Sequence, residues 1–95
     1  FVVESGPKAG ARYGLEAELT TLGRHGDADI FFDDVTVSRR HAEVERTDDR
    51  YLVRDSGSLN GTYVNRERIE SALLQDGDEL QIGRFRLVFF HGTAD

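Results

Sequence analysis

The sequence predicts an all-β fold in which two antiparallel sheets pack as a sandwich. Polar and apolar residues alternate with period two through most of the 95 residues, which is the pattern of strands with one buried face. The runs are short and evenly spaced, and dipeptides suited to tight turns, Asn60-Gly61 and Asp76-Gly77, fall between them. No segment keeps a helical period for more than about two turns. This pattern indicates a sandwich or a barrel, and we expect the sandwich.

Each strand is predicted from its own run of residues. In chain order the predicted strands are 1–4, 12–15, 19–23, 30–32, 41–46, 51–55, 62–64, 79–82 and 85–90. Thr47-Asp48-Asp49 is expected to form the hairpin turn between two of them, because aspartate is a turn-forming residue. The stretch 67–75 is the only ambiguous one, since it is too short to show a clear period.

Length, charge and cysteine content exclude several classes of protein. Ninety-five residues form one domain. The absence of cysteine excludes a disulfide framework and a thiolate metal site, and it favours a reducing compartment such as the cytoplasm. No apolar run is long enough to span a membrane, and no signal peptide is visible. The net charge of -6 argues against a nucleic-acid partner, whose binding requires many phosphates to be neutralised.

Strand lengths predict that three loops meet at one end of the sandwich. The apolar run 30–32 spans only about 10 Å, so the loops on either side of it, which carry Arg24 and Ser38, cannot lie far apart. The predicted hairpin 41–55 leaves the Ser38 end and returns to it. The loop 56–61 is therefore expected beside Ser38.

The residues on these loops have the chemistry of a phosphate-binding site. Arginine forks bind the dianion, a hydroxyl binds a further oxygen, and amide or backbone donors complete the shell. Arg24, Arg39, Ser38 and Asn60 supply such groups from loops. Basic charge is almost all arginine, with Lys8 the only lysine, and arginine is the better bidentate phosphate ligand. A GC-rich genome would give the same arginine content, so both explanations stay open.

The combined motif resembles the forkhead-associated (FHA) domain family. The resemblance rests on Gly23-Arg24, Ser38-x-x-His41, Asn60-Gly61 and Asn65. It covers residues 1–92, which leaves 93–95 as a C-terminal tail. Three stretches resemble one actinobacterial branch of the family more closely: 33–43, 57–67 and 81–89. This branch contains glycogen-accumulation regulators and 2-oxoglutarate dehydrogenase inhibitors. The resemblance implies a β-sandwich of roughly eleven strands that binds phosphothreonine peptides at its apical loops.

The resemblance also implies roles for individual residues. Arg24 would contact the phosphate or the nearby peptide backbone, Ser38 would hydrogen-bond a phosphate oxygen, and Arg39 would add a second donor. Asn60 would hold the backbone of the bound peptide. Many relatives have Thr or Ser where Leu59 stands here, so the Leu59 backbone N–H would replace the missing side-chain donor.

A second group of residues is expected to support the loops: Gly23, His41, Gly61, Thr62 and Asn65. His41 opens a strand and can lock the preceding loop by hydrogen bonding. Gly61 permits the turn geometry while the Asn60 amide points outward. Asn65 is interpreted as an internal clamp across the loop.

For this branch, the resemblance implies a regulator with neither catalytic activity nor a cofactor, whose partners are enzymes acting on 2-oxoglutarate or glutamate. A tail with a threonine that a Ser/Thr kinase phosphorylates normally precedes the domain. Because the chain begins with Phe rather than Met, we expect a fragment that lacks this tail. We therefore predict a phosphothreonine-dependent protein-binding module that binds a phosphothreonine-containing protein or its own phosphorylated N-terminal tail.

Other interpretations remain at this point. A phosphorylation-independent scaffold would have the same strands with incidental apical loops. A hydrolase that uses Ser38 and His41 is disfavoured, because the Gly-x-Ser-x-Gly elbow and an orienting acid are missing. No histidine spacing suits a metal, and the acidic pairs lack the remaining ligands of a calcium loop. Arg40 and Arg66 either extend the basic rim or merely solvate it.

Overall fold

The computed structural model describes residues 2–5, 10 and 12–90, with the backbone alone given for 2–5. The described residues form ten β-strands and no helix. In chain order the strands are β1 (Val2–Ser5), β2 (Leu19–Gly23), β3 (Ile30–Phe31), β4 (Ala42–Thr47), β5 (Arg50–Asp55), β6 (Thr62–Val64), β7 (Glu67–Ile69), β8 (Ser71–Leu74), β9 (Glu79–Ile82) and β10 (Phe85–Val88).

The strands form two five-stranded sheets, as predicted for an all-β sandwich. One sheet has the order β1-β10-β9-β6-β7, and the other has the order β3-β2-β4-β5-β8. All neighbouring strands are antiparallel except β3, which runs parallel to β2 with Leu22 opposite Ile30. The prediction of a wholly antiparallel arrangement is therefore wrong at this pair. The reason is the loop between β2 and β3, which turns back along β2 and is held there by a hydrogen bond from the Thr21 backbone N–H to Asp29.

The predicted strands 1–4, 30–32, 41–46, 51–55 and 85–90 differ from the observed ones by one or two residues at their ends, so that β4 begins after His41. Two larger differences concern whole segments. The run 12–15 is not a strand, since only Arg12 makes an isolated bridge. Tyr13 and Leu15 nevertheless pack against the core, so the alternation there reflects burial rather than strand pairing. The ambiguous stretch 67–75 divides into β7 and β8, which belong to different sheets. Ten strands are described against the roughly eleven implied by the resemblance, and the predicted tail 93–95 lies outside the described residues.

The alternation in the sequence places apolar side chains between the sheets. On β10, for example, Phe85 and Leu87 are buried while Arg86 is exposed. The buried apolar residues form one cluster: Leu22, Ile30, Phe32, Val37, Ala42, Val44, Val53, Val64, Leu74, Leu80, Ile82, Phe85, Leu87 and Phe89. The rings of Phe32 and Phe85 pack with their centroids 4.4 Å apart, which joins the two sheets near one end.

The strand register brings the predicted loops to a single end of the sandwich. Leu22 on β2 pairs with Ala42 on β4, and Ala42 pairs with Asp55 on β5. The end of β2, the start of β4 and the end of β5 therefore lie side by side. We call this end the apex and define it by residues 23–24, 36–41 and 56–61.

Candidate functional site

The His41 imidazole ties the apical loops together. Its side chain is fully buried, with 0% exposure. Nδ1 accepts a hydrogen bond from the Ser38 backbone N–H at 3.0 Å, and Nε2 lies 2.8 Å from the Gly61 carbonyl oxygen. Because a carbonyl oxygen only accepts, these contacts require the neutral tautomer protonated at Nε2. The His41 main chain adds hydrogen bonds to Leu22 and Ser56, so one residue sets the spacing of both loops.

The same contacts exclude His41 as a general base for Ser38. The ring accepts the Ser38 backbone N–H rather than its hydroxyl, and the Gly61 carbonyl occupies the other nitrogen. Burial lowers the pKa of His41, against the opposing effects of the Gly61 carbonyl and the Asp55 carboxylate. The imidazole is therefore neutral at neutral pH, and it lacks the geometry of a Ser–His nucleophilic pair.

Gly23 allows two apical segments to approach at backbone distance. A Cβ at this position would lie 2.1 Å from the Arg39 carbonyl oxygen and 3.2 Å from that of Ser38. The Arg24 N–H donates to the Ser38 carbonyl oxygen at 3.0 Å. A larger residue at position 23 would have to push this contact apart, so Gly23 keeps Arg24 and Ser38 adjacent.

Ser38 has a hydroxyl hydrogen that is available to a ligand. Its Oγ accepts the Leu59 backbone N–H at 3.0 Å. A serine hydroxyl has one hydrogen to donate and two acceptor positions, and no described residue accepts that hydrogen. The Leu59 N–H, which was expected to replace a donor to the ligand, is instead used inside the apex to orient Ser38. That part of the prediction is wrong for Leu59.

Arg24 is oriented by one internal bond and keeps its terminal donors. Its Nε donates to the Val37 carbonyl oxygen at 3.0 Å, and its side chain is exposed. The two Nη groups make no hydrogen bond to any described residue, so they remain available to two oxygens of one ligand. Arg39 is also exposed, and its guanidinium forms no hydrogen bond or ion pair with another described residue.

The sequence predicted that the Asn60 amide points outward. In the structure, the nitrogen of this amide is used inside the apex. Its Nδ2 donates to the Thr36 carbonyl oxygen at 2.9 Å. This contact joins the loops 36–41 and 56–61 a second time. Within the described part of the chain, no hydrogen bond involves the Asn60 Oδ1, which can therefore accept an N–H from a bound peptide.

Asp55 organises the loop 56–61, a role that was not predicted from the sequence. Its carboxylate accepts the backbone N–H groups of Gly57 and Ser58, both at 3.1 Å. It also accepts the hydroxyls of Ser58 and Thr62, and Ser58 Oγ accepts the Gly61 N–H. Burial raises the pKa of Asp55, but the hydrogen bonds from Ser58 and Thr62 outweigh it and give a net lowering. The signal was the run Asp55-Ser56-Gly57, because an aspartate in a turn commonly accepts the backbone N–H two residues later, as in an Asx turn.

Gly61 and Thr62, which were both predicted to support the loop, occupy different places in this network. Gly61 has a φ of +88°, a backbone conformation that favours glycine. Its N–H and carbonyl bind Ser58 and His41 respectively. Thr62 begins β6 and acts through the Asp55 carboxylate, 2.7 Å from its hydroxyl.

Asn65 supports a loop at the other end of the sandwich. It follows β6, which runs away from the apex for three residues, about 10 Å. Its side-chain amide donates to Asp78 at 3.0 Å, and its Oδ1 accepts the Glu79 N–H at 2.9 Å. The interpretation of Asn65 as a clamp across the Asn60 loop is therefore wrong.

Thr36 connects the apex to the turn between β9 and β10. Its hydroxyl donates to Asp34 at 2.6 Å and accepts the Arg84 N–H at 3.0 Å. At Gly83, which has a φ of +58°, a Cβ would lie 2.5 Å from the Thr36 hydroxyl oxygen. The turn that carries Arg84 is therefore packed directly against the apical loops. This contact was not predicted from the sequence.

The apex presents groups with the chemistry to bind an anion. Its ligand-directed groups are guanidinium and hydroxyl donors together with one amide oxygen. Nowhere in the described residues do three or more His, Cys, Asp or Glu side chains come together in a way that could hold a metal ion. The described part of the chain also has no helix of the length and apolarity needed to cross a membrane.

Replacing Gly23 with alanine should distort the apex. The new Cβ must displace the Arg39 carbonyl, and overpacking of this kind typically costs about 1–3 kcal/mol of folding stability. We expect Gly23→Ala to lower the free energy of unfolding and to shift the amide NMR signals of Arg24 and Ser38. Gly26→Ala is the matched control, because a Cβ there meets nothing within 4 Å. Equal stability and equal spectra for the two variants would contradict the close approach.

The stability of the domain should fall as pH drops below about 6.5, the ordinary pKa of histidine. Burial lowers the pKa of His41, so the unfolded chain takes up a proton at a higher pH than the folded chain does. The contribution of neutral His41 is therefore present above pH 6.5 and is lost as pH falls toward its folded pKa. Protonation of His41 Nδ1 would also break its hydrogen bond with the Ser38 N–H, because two donors would then face each other.

Urea unfolding between pH 7.5 and 5.0 measures this effect. His41→Gln should be less stable at neutral pH, and its loss of stability over this range should be smaller than in the parent. His25→Gln is the matched control, and its unfolding free energy should depend on pH as in the parent. If this pH dependence is unchanged in His41→Gln, the effect belongs to another group.

Comparison with known proteins places this site in a family. The FHA domain model matches residues 20–83, which include the whole apex. The chain is 62% identical over its 95 residues to an oxoglutarate dehydrogenase inhibitor of Corynebacterium jeikeium, of which it covers 66%. It is 60% identical over 92 residues, or 97% of its length, to the glycogen accumulation regulator GarA of Mycobacterium tuberculosis, of which it covers 57%. The chain thus spans about three-fifths of the length of these two relatives.

A solved structure from an analysis of phosphothreonine-dependent FHA domain interactions is similar in fold. It superposes with a TM-score of 0.84 at 32% identity, covering 92% of this chain and 88% of the other. The family match, the named relatives and this structural similarity identify a non-catalytic binding module. The chain belongs to the FHA domain family.

Proposed function

We propose that this chain is a phosphothreonine-dependent protein-binding module that regulates its partners. The observation that carries the proposal is the placement of the Arg24 guanidinium and the Ser38 hydroxyl on one hydrogen-bonded scaffold, each with a donor still available. The similarity to a structure concerned with phosphothreonine-dependent interactions supports the choice of ligand. The relatives named as an inhibitor and as a regulator support the role.

A phosphate dianion binds this apex without breaking an internal contact. The Arg24 Nη groups bind two phosphate oxygens while Nε keeps its bond to Val37. The Ser38 hydroxyl donates to a third oxygen while it still accepts the Leu59 N–H. A phosphothreonine carries about -1.5 to -2 charges and three acceptor oxygens at pH 7, so these donors match its capacity. Arg39 supplies a second cation at the edge.

The peptide on either side of the phosphothreonine is held by Asn60. The bond from its Nδ2 to the Thr36 carbonyl fixes the amide, and its Oδ1 accepts a backbone N–H of the peptide. Selectivity for threonine over serine comes from the extra methyl group. Burying one such group contributes about 0.8 kcal/mol, which corresponds to a preference of about fourfold.

The partners under this proposal are enzymes that act on 2-oxoglutarate or glutamate, and the module acts in the cytoplasm downstream of a Ser/Thr kinase. The support is the high identity over nearly the full chain to an oxoglutarate dehydrogenase inhibitor and a glycogen accumulation regulator. A phosphothreonine tail that precedes residue 1 competes with the enzyme for the apex. A tail on a short flexible linker has an effective concentration near millimolar, which is enough to displace a partner of about micromolar affinity.

Arg24→Ala and Ser38→Ala should each weaken binding of a phosphothreonine peptide by about 2–5 kcal/mol. Each variant removes one partner of a charged contact that becomes desolvated when the peptide binds. Isothermal calorimetry with the phosphorylated and unphosphorylated forms of one peptide measures the loss. Arg50→Ala and Ser71→Ala are matched controls on exposed strand positions, and they should bind like the parent.

Thermal unfolding separates a binding defect from a folding defect in these variants. Arg24→Ala loses the bond to the Val37 carbonyl and Ser38→Ala loses the acceptor of the Leu59 N–H, so each should be destabilised by no more than about 1.5 kcal/mol. If the parent binds both forms of the peptide equally, the phosphate has no role and the domain is a phosphorylation-independent scaffold.

The tail hypothesis predicts a switch in enzyme inhibition. Residues 1–95 expressed alone should inhibit a 2-oxoglutarate dehydrogenase complex. Attaching the native tail and phosphorylating its threonine should relieve the inhibition, as measured by turnover of 2-oxoglutarate. The unphosphorylated tail is the control and should leave inhibition intact. Inhibition that persists while NMR shows the phosphorylated tail at Arg24 and Ser38 would refute a shared surface.

A further inference from the structure

The loop 56–61 ends in an Asn-Gly pair, the dipeptide at which asparagine deamidates fastest. The chain has two asparagines, Asn60 and Asn65, and only Asn60 is followed by glycine. Asparagine is among the thermolabile residues of proteins. A following glycine speeds its loss, because the backbone nitrogen that attacks then has no side chain beside it. The reaction needs no enzyme, so its rate at Asn60 depends on the structure around this pair.

Deamidation begins at the backbone nitrogen of Gly61. Hydroxide removes the proton of this nitrogen, which then attacks the Asn60 Cγ. A bond forms between these two atoms, the bond from Cγ to Nδ2 breaks, and Nδ2 leaves as ammonia with a proton from water, which regenerates hydroxide. The resulting succinimide takes up one water molecule. Opening at one carbonyl gives aspartate, and opening at the other gives isoaspartate, so both products carry a negative charge that asparagine lacks.

The attacking nitrogen of Gly61 is bound within the apex. Its N–H donates to the Ser58 hydroxyl oxygen at 3.0 Å, and Gly61 is buried. A Cβ built at Gly61 would lie 2.8 Å from the Arg68 Nε, so the Arg68 side chain lies directly against this residue. The Gly61 carbonyl is fixed as well, 2.8 Å from His41 Nε2. Hydroxide therefore reaches the Gly61 proton only when the hydrogen bond to Ser58 opens.

The leaving amide of Asn60 is held by a different loop. Its Nδ2 donates to the Thr36 carbonyl oxygen at 2.9 Å. Closing the five-membered ring draws the Asn60 Cγ toward the Gly61 nitrogen and pulls Nδ2 away from this carbonyl. The side chain of Asn60 is exposed, so hydrogen bonding rather than burial restrains the amide. Two hydrogen bonds, one on each reacting group, thus oppose the reaction in the folded domain.

We propose that Asn60 is a site of spontaneous deamidation that the hydrogen bonds of the apex suppress in the folded domain. The reaction proceeds in the fraction of molecules in which the loop 56–61 has opened, as amide hydrogen exchange does. Two hydrogen bonds of ordinary net strength correspond to a suppression of about fivefold to 150-fold.

The consequence for binding rests on the function proposed for the apex. The product loses the amide that is bonded to Thr36 and places a carboxylate beside the phosphate-binding donors. A carboxylate repels a phosphate dianion. Each event therefore removes one molecule from the binding-competent population, and opening of the apex sets how often this happens.

Peptide mapping by mass spectrometry measures aspartate and isoaspartate at residue 60 during incubation at mildly alkaline pH. The parent is compared in buffer and in guanidinium chloride that unfolds it. We expect Asn60 to react about fivefold to 150-fold faster in the unfolded chain. Asn65 should react slowly in both, because arginine follows it. Equal rates at Asn60 in the two states would overturn the suppression. A rate at Asn60 no faster than at Asn65 in the unfolded chain would overturn the site.

Ser58→Ala removes the acceptor of the Gly61 N–H, and Ser56→Ala is the matched control on an exposed neighbouring serine. Ser58→Ala should deamidate faster than the parent in buffer, while Ser56→Ala should match the parent. All three chains should react alike when unfolded. A folded Ser58→Ala that reacts at the parent rate would overturn the role of this bond.

Hydrogen exchange of the Gly61 amide in the parent is a second measure that needs no variant, since Ser58 also bonds Asp55 and its loss affects stability. Exchange and deamidation both require the Gly61 N–H to open. The suppression of deamidation should therefore equal or exceed the protection of this amide against exchange. Deamidation that is suppressed less than exchange would contradict a shared opening.

Ion exchange separates the deamidated protein from the parent by its added charge, and calorimetry with one phosphothreonine peptide then tests the effect on binding. We expect the deamidated protein and Asn60→Asp to bind at least about tenfold more weakly than the parent. Binding equal to that of the parent would overturn the loss of function. If the parent does not distinguish the phosphorylated peptide from the unphosphorylated one, the proposed apical function fails, while the rates at Asn60 still decide whether the site exists.

Discussion

The hydrogen bonds of one buried imidazole hold the two main loops of the apex together. His41 leads into β4 of one sheet, while Gly61, which its Nε2 contacts, leads into β6 of the other. The same ring accepts the N–H of Ser38, so the loop that would bind phosphate and the loop that would bind peptide are positioned by opposite edges of a single side chain. A neutral ring is required for this, since one nitrogen must accept while the other donates. Burial, which lowers the pKa of His41, favours that state.

Around this ring, the apex satisfies most of its polar groups internally. The Asp55 carboxylate binds two backbone N–H groups and two hydroxyls, and the Leu59 N–H and the Asn60 amide both bind within the apical loops. Among the described residues, no buried side-chain nitrogen or oxygen is left without a hydrogen-bond partner. The donors that these contacts orient toward a ligand are the Arg24 fork and the Ser38 hydroxyl, and Arg39 adds an exposed guanidinium beside them. The framework uses Arg24 Nε and an acceptor position of the Ser38 hydroxyl, and it leaves the Arg24 Nη groups and the Ser38 hydroxyl hydrogen for a ligand.

The sequence predicted the strands and the meeting of the loops better than the individual contacts. Alternation located β2 and β6 with their observed ends, because these strands have one buried face and one exposed face. It failed at 12–15, where Tyr13 and Leu15 pack on the core without strand pairing, since period two reports burial and not hydrogen bonding. The direction of β3 had no signal, because a strand of two residues carries no pattern. Asn60 and Asn65 look alike in the sequence, and only the direction of β6 shows that they lie at opposite ends.

The internal saturation of the apex also bears on the kinetics of binding. Loops that are already held by hydrogen bonds lose little conformational entropy when a ligand arrives, so the ordering penalty falls mainly on the peptide. Association then needs no slow rearrangement of the protein and proceeds at the rate at which charged partners meet, commonly about 10⁵–10⁷ M⁻¹s⁻¹. For a partner of micromolar affinity this corresponds to a residence time of about 0.1–10 s. Under the proposed function, exchange on that timescale would let a competing segment take over the apex within seconds of its phosphorylation.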